Sequence, residues 1–217
     1  MHSEVLYLHL RNLDLGFANI LTLFRLLVCP IFYAIYTHYS WFNITFPTAI
    51  YLLIGLLAIS ELSDFLDGHI ARKYNQVTDV GKILDPMADS ISRICVFLTF
   101  TLPPVQLPII YIFVFLYRDS IIASLRTICA LKGFALAARR SGKLKAVILA
   151  VVAFAILFLL IGQTRNWISI EAVQVWSFWL VTVAAIYSIL SGVEYIVVNY
   201  SYIKSAFLSK RESKRKK

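Results

Sequence analysis

Long apolar runs separated by short polar stretches make up most of this chain. Each run is close to the ~20 residues that an α-helix needs to cross a bilayer. The pattern predicts six membrane spans, which run from about Phe17 to Tyr36, Ile44 to Asp64, Leu84 to Leu102, Pro108 to Cys129, Leu144 to Ile161 and Ile168 to Val198. An outer-membrane barrel would show short alternating strands instead. We therefore predict an all-α, polytopic membrane protein with one domain over residues 1–217.

Composition and charge support this class of protein. The chain is 59% hydrophobic, above the roughly half that is usual for soluble domains, and its formal charge is +9. The loops on one side of the predicted membrane and the tail carry most of the basic residues, whereas the three opposite loops carry Arg165 alone. The positive-inside rule then places both termini in the cytoplasm. The positive charge is explained by topology and anionic headgroups, so we expect no nucleic-acid partner.

The two ends of the chain are polar in different ways. Residues 1–16 hold mixed charge and predict a short, amphipathic cytoplasmic lead-in. No A-x-A-like site follows the first apolar run, so we expect no cleavable signal peptide. Residues 204–217 form a basic tail. We expect its last eight residues, 210–217, to be disordered and to set topology, with binding to anionic lipid as the alternative.

Four aspartates lie at the cytoplasmic boundary between the second and third spans. They are Asp64, Asp67, Asp85 and Asp89, and each pair is spaced to share one face of a helix. Carboxylates are costly near hydrocarbon unless they pair or bind cations. If the two spans pack side by side, the pairs converge, and such oxygen clusters suit Mg²⁺ or Mn²⁺. Two ions held in this way form the usual clamp for displacement at phosphorus.

The aspartates belong to the pattern D-x2-D-G-x2-A-R-x8-G-x3-D-x3-D, which includes Gly68, Ala71, Arg72 and Gly81. This pattern resembles the signature of the CDP-alcohol phosphotransferase family, whose members are six-helix membrane enzymes. The resemblance implies transfer of a phosphatidyl or related group from a CDP-linked donor to an alcohol, with release of CMP. It implies that the four aspartates ligate two Mg²⁺ or Mn²⁺ ions and that Asp89 is also the general base. It further implies that the two glycines, Ala71 and Arg72 lie along the CDP moiety.

Residues outside the signature bear on the acceptor alcohol. Asn19, Thr22 and Arg25 recur every three residues and form a polar stripe on the first span, which resembles the N-x2-T-x2-R opening of phosphatidylglycerophosphate synthases. This stripe is a candidate for contact with the CDP phosphates, and helix–helix hydrogen bonding is the alternative for its two uncharged residues. The D-P-x-A-D ending at Asp89 resembles the same branch, although Ser90 stands where that branch usually has Lys.

Basic residues further along the chain predict a second binding region. Arg118 and Arg126 are eight residues apart on the fourth span and share a helix face. Because a charged side chain is costly in contact with lipid, we expect this face to point toward the interior of the bundle. Together with the basic residues that begin the fifth span they are candidates for a pocket that binds an acceptor phosphate: Arg118, Arg126, Arg140, Lys143 and Lys145. The alternative for the last three is that they only set topology. The stretch resembles the R-E…LR…GK-x-K of glycerophosphate enzymes, with Asp119 in place of Glu.

The resemblance implies transfer of a phosphatidyl group from CDP-diacylglycerol to sn-glycerol 3-phosphate in phospholipid biosynthesis. Other acceptors stay open, namely inositol phosphate, serine, phosphatidylglycerol or an amino alcohol. A cation transporter is the alternative from another class, because intramembrane carboxylates also line ion paths. However, the carboxylates gather at one membrane face, and Glu171 and Glu194 stand alone in the sixth span. We expect a multi-pass protein of the inner (cytoplasmic) membrane with a cytoplasmic active site and, by family analogy, a homodimer.

Overall fold

The computed structural model describes the backbone of residues 17–73, 81–133, 136 and 139–213. Side chains are described for the same residues except 17–23, 64–73, 81–86 and 207–213. The lead-in at 1–16 and the last residues of the tail, 214–217, lie outside the described part of the chain. Within these ranges the protein is helical and contains no strand, which confirms the predicted all-α class.

The predicted spans each coincide with a helix. The described part of the chain forms α1 (Phe17–His38), a short 3₁₀ helix (Tyr39–Phe42), α2 (Phe46–Lys73), α3 (Gly81–Thr99), α4 (Ile110–Leu131), α5 (Arg140–Thr164), α6 (Ile170–Val198) and α7 (Tyr200–Ser213). Among these helices, α5, α6 and the part of α2 at Phe46–Ser63 are long and apolar enough to cross a membrane. Helix α4 is of similar length but carries Arg118, Asp119 and Arg126 among its apolar residues.

Local sequence explains several helix ends. Gly133 follows α4 with a φ of +80°, a conformation that glycine adopts without steric cost, and its amide donates to the carbonyl of Ala130 at 2.9 Å. Ser169 precedes α6, and its hydroxyl accepts a hydrogen bond from the amide of Ala172 at 3.2 Å. A serine in this position satisfies one of the amides that the first turn of a helix leaves unpaired.

The tail differs from the sequence-based expectation. Disorder was expected from Lys210, but α7 continues to Ser213, so this expectation is wrong for residues 210–213. The physical reason is packing, because α7 contacts α4 and α6 and buries Ala206 to 3% exposure. Its helical propensity is therefore supported by tertiary contacts.

The bundle places α1 and α5 as common neighbours of α2 and α3. Helix α1 contacts α2 and α3, and helix α5 contacts α2, α3 and α6. Helix α4 packs between α3 and α6. This arrangement brings the helices that carry the aspartate signature around one shared interior.

Aromatic side chains fill the centre of that interior. Phe100 is fully buried, and its ring makes edge-to-face contacts with Phe32, Tyr36 and Phe97 at centroid separations of 6.1, 5.9 and 6.2 Å. Such contacts add to the burial of each ring. The hydroxyl of Tyr36 donates to the carbonyl of Leu102 at 3.3 Å, so its polar end is also satisfied.

We expect Phe100→Ala to destabilise the protein by about 2–4 kcal/mol, because it leaves a cavity between α1 and α3 that the bundle cannot fill. The measurement is thermal unfolding of the purified protein in detergent. Phe113→Ala is the matched control, since Phe113 is 45% exposed on α4 and its loss leaves no enclosed cavity. Equal shifts in Tm for the two variants would contradict the packing argument.

Candidate active site

The signature residues divide between the end of α2 and the start of α3. Helix α2 carries Asp64, Asp67, Gly68, Ala71 and Arg72 in its last ten residues, and α3 begins at Gly81 and carries Asp85 and Asp89. Their backbones are helical as the spacing predicts, so each aspartate pair shares a helix face. The side chains of these residues other than Asp89, and those of Asn19 and Thr22 on α1, lie outside the described part of the structure.

Asp89 forms an ion pair with Arg25 across the α1–α3 interface. Arg25 is only 3% exposed, and its Nη1 donates to Oδ1 of Asp89, whose side chain is 24% exposed. The buried guanidinium stabilises the charged carboxylate by Coulomb attraction in a medium that screens poorly. From the sequence, Arg25 was predicted to contact CDP, and Asp89 was predicted to be a metal ligand and the base. The structure brings them together at one point.

A small cavity of ≈ 30 Å³ opens beside this pair, between α1, α2, α3 and α5. Its polar lining consists of Arg25, Ser60, Glu61, Asp89, Ser92 and Arg93. Its apolar lining consists of Val28, Cys29, Phe32, Leu57, Val96, Phe97, Leu149, Ala150 and Ala153. The cavity has room for water-sized molecules and presents polar groups on one side. The structure therefore gives Asp89 a pre-formed space beside its carboxylate.

Glu61 and Ser60 are lining residues that the sequence analysis missed. Glu61 precedes Asp64 by three residues, so it lies one turn earlier on the same face of α2. This three-residue spacing is the sequence signal that could have identified Glu61 as a lining residue. It adds a further carboxylate to the face that carries Asp64 and Asp67.

The donor set suits a divalent cation. The four signature aspartates offer only carboxylate oxygens, which Mg²⁺ and Mn²⁺ prefer. Among the described side chains there is no cluster of three or more candidate ligands, and of the four aspartates only Asp89 is in that set. The fit therefore rests on the chemistry of the residues and on the helix faces that their backbones define.

A second charged cluster is centred on Asp119 of α4. Lys145 of α5 donates to both carboxylate oxygens, at 2.7 and 2.8 Å, and Nη1 of Arg118 donates to Oδ1 at 3.0 Å. The hydroxyl of Ser90 on α3 donates to Oδ2 at 2.9 Å. Ser90 follows Asp89 directly, so this cluster touches the helical turn that carries the candidate base.

Arg118 is held from several sides. Its Nη2 donates to the hydroxyl of Ser191 on α6 at 3.1 Å. Gly192 makes room for it, because a Cβ at that position would lie 3.1 Å from Cγ of Arg118. Its buried Nε has no hydrogen-bond partner within the described part of the chain.

The other predicted phosphate-binding residues differ in their exposure. Arg126 donates from Nε to the hydroxyl of Tyr195 at 3.4 Å and lies over the same ring, 5.7 Å from its centroid. Arg140 and Lys143 are exposed at the start of α5, whereas Lys145 is buried. The five cations therefore do not form one equivalent set, because two are exposed and the other three make contacts within the bundle.

Asp119, Ser90, Ser191 and Tyr195 are contact residues that the sequence analysis did not place in the site. For the first two a signal existed, since each departs from the pattern of the branch that the chain resembles. The structure shows that these departing residues contact each other at 2.9 Å. No sequence signal marked Ser191 or Tyr195, because both lie in a mostly apolar helix and belong to no motif.

Curated relatives are similar to this chain over most of its length. A protein of Bacillus subtilis (strain 168) is 31% identical over 199 residues, which cover 87% of this chain and 97% of the relative. A protein of Rickettsia bellii (strain RML369-C) is 32% identical over 195 residues, covering 89% of this chain and 97% of the relative. Both are named CDP-diacylglycerol–glycerol-3-phosphate 3-phosphatidyltransferase.

The sequence model of one protein family also matches the chain. The match covers residues 15–190, which include α1 to α5 and most of α6. It therefore contains every signature aspartate, the Arg25–Asp89 pair and the Asp119 cluster apart from Ser191. From this match and the similar relatives it follows that the chain belongs to the CDP-alcohol phosphatidyltransferase family.

Proposed function

We propose that the protein transfers the phosphatidyl group of CDP-diacylglycerol to sn-glycerol 3-phosphate and releases CMP, giving phosphatidylglycerophosphate. The observation that carries this proposal is the placement of Asp89. Its carboxylate borders a cavity and pairs with Arg25, while the next residue, Ser90, contacts a cationic cluster on α4 and α5. A base and a cationic region side by side suit an acceptor with both a hydroxyl and a phosphate. The names of the similar relatives agree with this acceptor.

In the proposed reaction, Asp89 accepts the proton of the acceptor hydroxyl as that oxygen attacks the β-phosphorus of the donor, which bears the diacylglycerol. A new P–O bond forms to the acceptor, and the P–O bond to CMP breaks. Asp64, Asp67, Asp85 and Asp89 would hold Mg²⁺ or Mn²⁺, which stabilises negative charge on the diphosphate when bound. Asn19, Thr22, Gly68, Ala71, Arg72 and Gly81 are proposed to contact the CDP moiety, as is Arg25.

The acceptor phosphate needs cations that it can reach. Arg140 and Lys143 are exposed at the start of α5, and the side chain of Arg118 is 13% exposed, compared with 5% for Lys145. Arg126 lies two turns further along α4 from Arg118. We propose that these four cations bind the phosphate and that the buried Lys145 has a different role. Charge-assisted hydrogen bonds of this kind are the stronger ones in proteins.

The proposed topology has six spans with both termini and the active site on the cytoplasmic side of the inner membrane. Three helices meet the length and apolarity that a span needs within the described residues, and the loop charges supply the orientation. Glycerol 3-phosphate and CDP-linked lipid are both accessible from that side. Membrane lipids surround the bundle, and a homodimer is the assembly that we propose from family analogy.

The acceptor is tested directly by CMP release. Purified protein in detergent, given CDP-diacylglycerol with Mg²⁺ or Mn²⁺, is expected to release CMP with glycerol 3-phosphate but not with serine, inositol phosphate, phosphatidylglycerol or ethanolamine. Chelation of the metal is expected to stop release. CMP formed with another member of this panel in preference to glycerol 3-phosphate would contradict the proposed acceptor, and no CMP with any of them would contradict the transfer reaction.

The role of Asp89 is tested by Asp89→Asn. The amide cannot accept the hydroxyl proton, so kcat is expected to fall by about 10²–10⁴-fold while binding of CDP-diacylglycerol is largely kept. CMP release and binding of the donor are measured on the same preparation. Glu171→Gln is the matched control, because Glu171 is exposed in the first turn of α6 and lies outside the site. A variant of Asp89 with wild-type kcat would exclude it as the base.

The phosphate contact is tested by Lys143→Gln. Loss of one cation is expected to raise the KM for glycerol 3-phosphate about tenfold, with kcat nearly unchanged. The difference from wild type should shrink as salt is added, since Lys143 is exposed and its charge is screened. Lys132→Gln is the control, because Lys132 is an exposed lysine at the end of α4 outside the proposed pocket. An equal change in both variants would point to a general surface-charge effect.

A further inference from the structure

We propose that Asp119 and Lys145 form a positioning pair for the reaction proposed above. The pair holds Ser90, and with it the turn of α3 that carries Asp89, and it also holds Arg118. In this assignment neither residue of the pair contacts the acceptor.

The carboxylate of Asp119 is fully engaged. Oδ1 accepts from Lys145 and Arg118, and Oδ2 accepts from Lys145 and Ser90. The three donors come from three helices, so a single side chain joins α3, α4 and α5. A carboxylate with four contacts in an apolar bundle is fixed in direction, because moving it would leave buried charges unpaired.

Burial separates Lys145 from the cations that can meet a ligand. The Lys145 side chain is 5% exposed, and those of Arg118 and Asp119 are each 13% exposed. Lys143 lies two residues earlier on α5 and is exposed. Residues two apart on a helix point in nearly opposite directions, so one lysine faces outward while the other faces the bundle. An acceptor phosphate reaching Lys145 would have to displace Asp119.

The pair lies close to the reacting group through Ser90. Asp89 directs its carboxylate to Arg25 on α1, and Ser90 directs its hydroxyl to Asp119 on α4. The two neighbours on α3 are therefore anchored to different helices. Together the anchors fix the rotation of α3 about its axis, which sets where the Asp89 carboxylate lies relative to the cavity. Displacements of about 1 Å in such a group can cost about 100-fold in rate.

The test compares the effect of each substitution on kcat with its effect on the KM for the acceptor. Asp119→Asn and Lys145→Met are each expected to lower kcat about 10-fold to 100-fold while the acceptor KM changes less than about threefold. Because the residues act as one unit, the double variant is expected to lose no more than the worse single variant. Lys143→Gln is the comparison, since it is expected to change KM and keep kcat.

Ser90 supplies a second, milder variant. Ser90→Ala removes one hydroxyl and leaves no buried charge unpaired, so it tests the link even where a charge variant fails to fold. It is expected to lower kcat about threefold to tenfold, and Ser90→Thr, which keeps the hydroxyl, is expected to recover most of that loss. Wild-type kcat in Ser90→Ala would overturn the proposal. So would a Lys145→Met variant that raises the acceptor KM and keeps kcat.

The proposal depends on the transfer reaction but not on the identity of the acceptor. The kinetics are measured with whichever alcohol the wild-type protein uses, so a different acceptor would contradict the proposed function and leave this test in place. CMP release from CDP-diacylglycerol with glycerol 3-phosphate as the acceptor, together with unchanged kcat in the Ser90 and Asp119 variants, would contradict the positioning role alone. If the wild-type protein released CMP with none of the alcohols, both the proposed transfer reaction and the positioning role would be overturned. A double-mutant cycle on Tm would then measure only the structural coupling between Asp119 and Lys145.

Discussion

The pairing of buried charges is the constraint on which this structure depends. Arg25 and Lys145 are almost completely buried in a helix bundle that is otherwise apolar, and each is matched by a carboxylate on another helix. An unpaired charge in such surroundings costs several kcal/mol, so the helices can pack only in the arrangement that brings these partners together. Apolar contacts are less selective, because they form in many registers and lipid competes with them. The ion pairs therefore specify which helices meet, and at which residues.

Helix α3 is where the two charged clusters meet. Successive residues of an α-helix point about 100° apart, so Asp89 and Ser90 face different neighbours although they are adjacent in sequence. Asp89 faces α1 and the cavity, and Ser90 faces α4 and Asp119. One turn of helix thus carries the candidate base and the contact that holds its direction. A rotation of α3 that improved one contact would strain the other, so the two clusters restrain each other.

Much of the fold and the centre of the site could be predicted from sequence. Apolar runs of bilayer length located the helices, and the spacing of the aspartates placed them on shared helix faces. A cation in an apolar run is costly, and this cost singled out Arg25. However, periodicity identifies the helix face that carries a residue and does not identify the helix packed against that face. The pairing of Arg25 on α1 with Asp89 on α3 was therefore not predictable. The same limit applies to Asp119, which the sequence showed only as a replacement for Glu, whereas the structure shows that Lys145 and Ser90 both donate to it. The α7 helix was missed because its basic composition says nothing of the contacts that bury Ala206.

Lys143 and Lys145 show how far a charge pattern can be interpreted before packing is known. In sequence they are equivalent members of a basic stretch, and both were assigned to the acceptor phosphate. On α5 the two lysines have different environments: Lys143 is exposed, whereas Lys145 donates to both carboxylate oxygens of Asp119. Asp119 and Lys145 cancel, so the positive charge of the Asp119 cluster resides on Arg118, which also retains a buried Nε without a partner in the described structure. The proposed acceptor region is therefore less positive than its number of basic residues suggests. The proposed selectivity for a phosphate would depend on the directions of those charges rather than on their number.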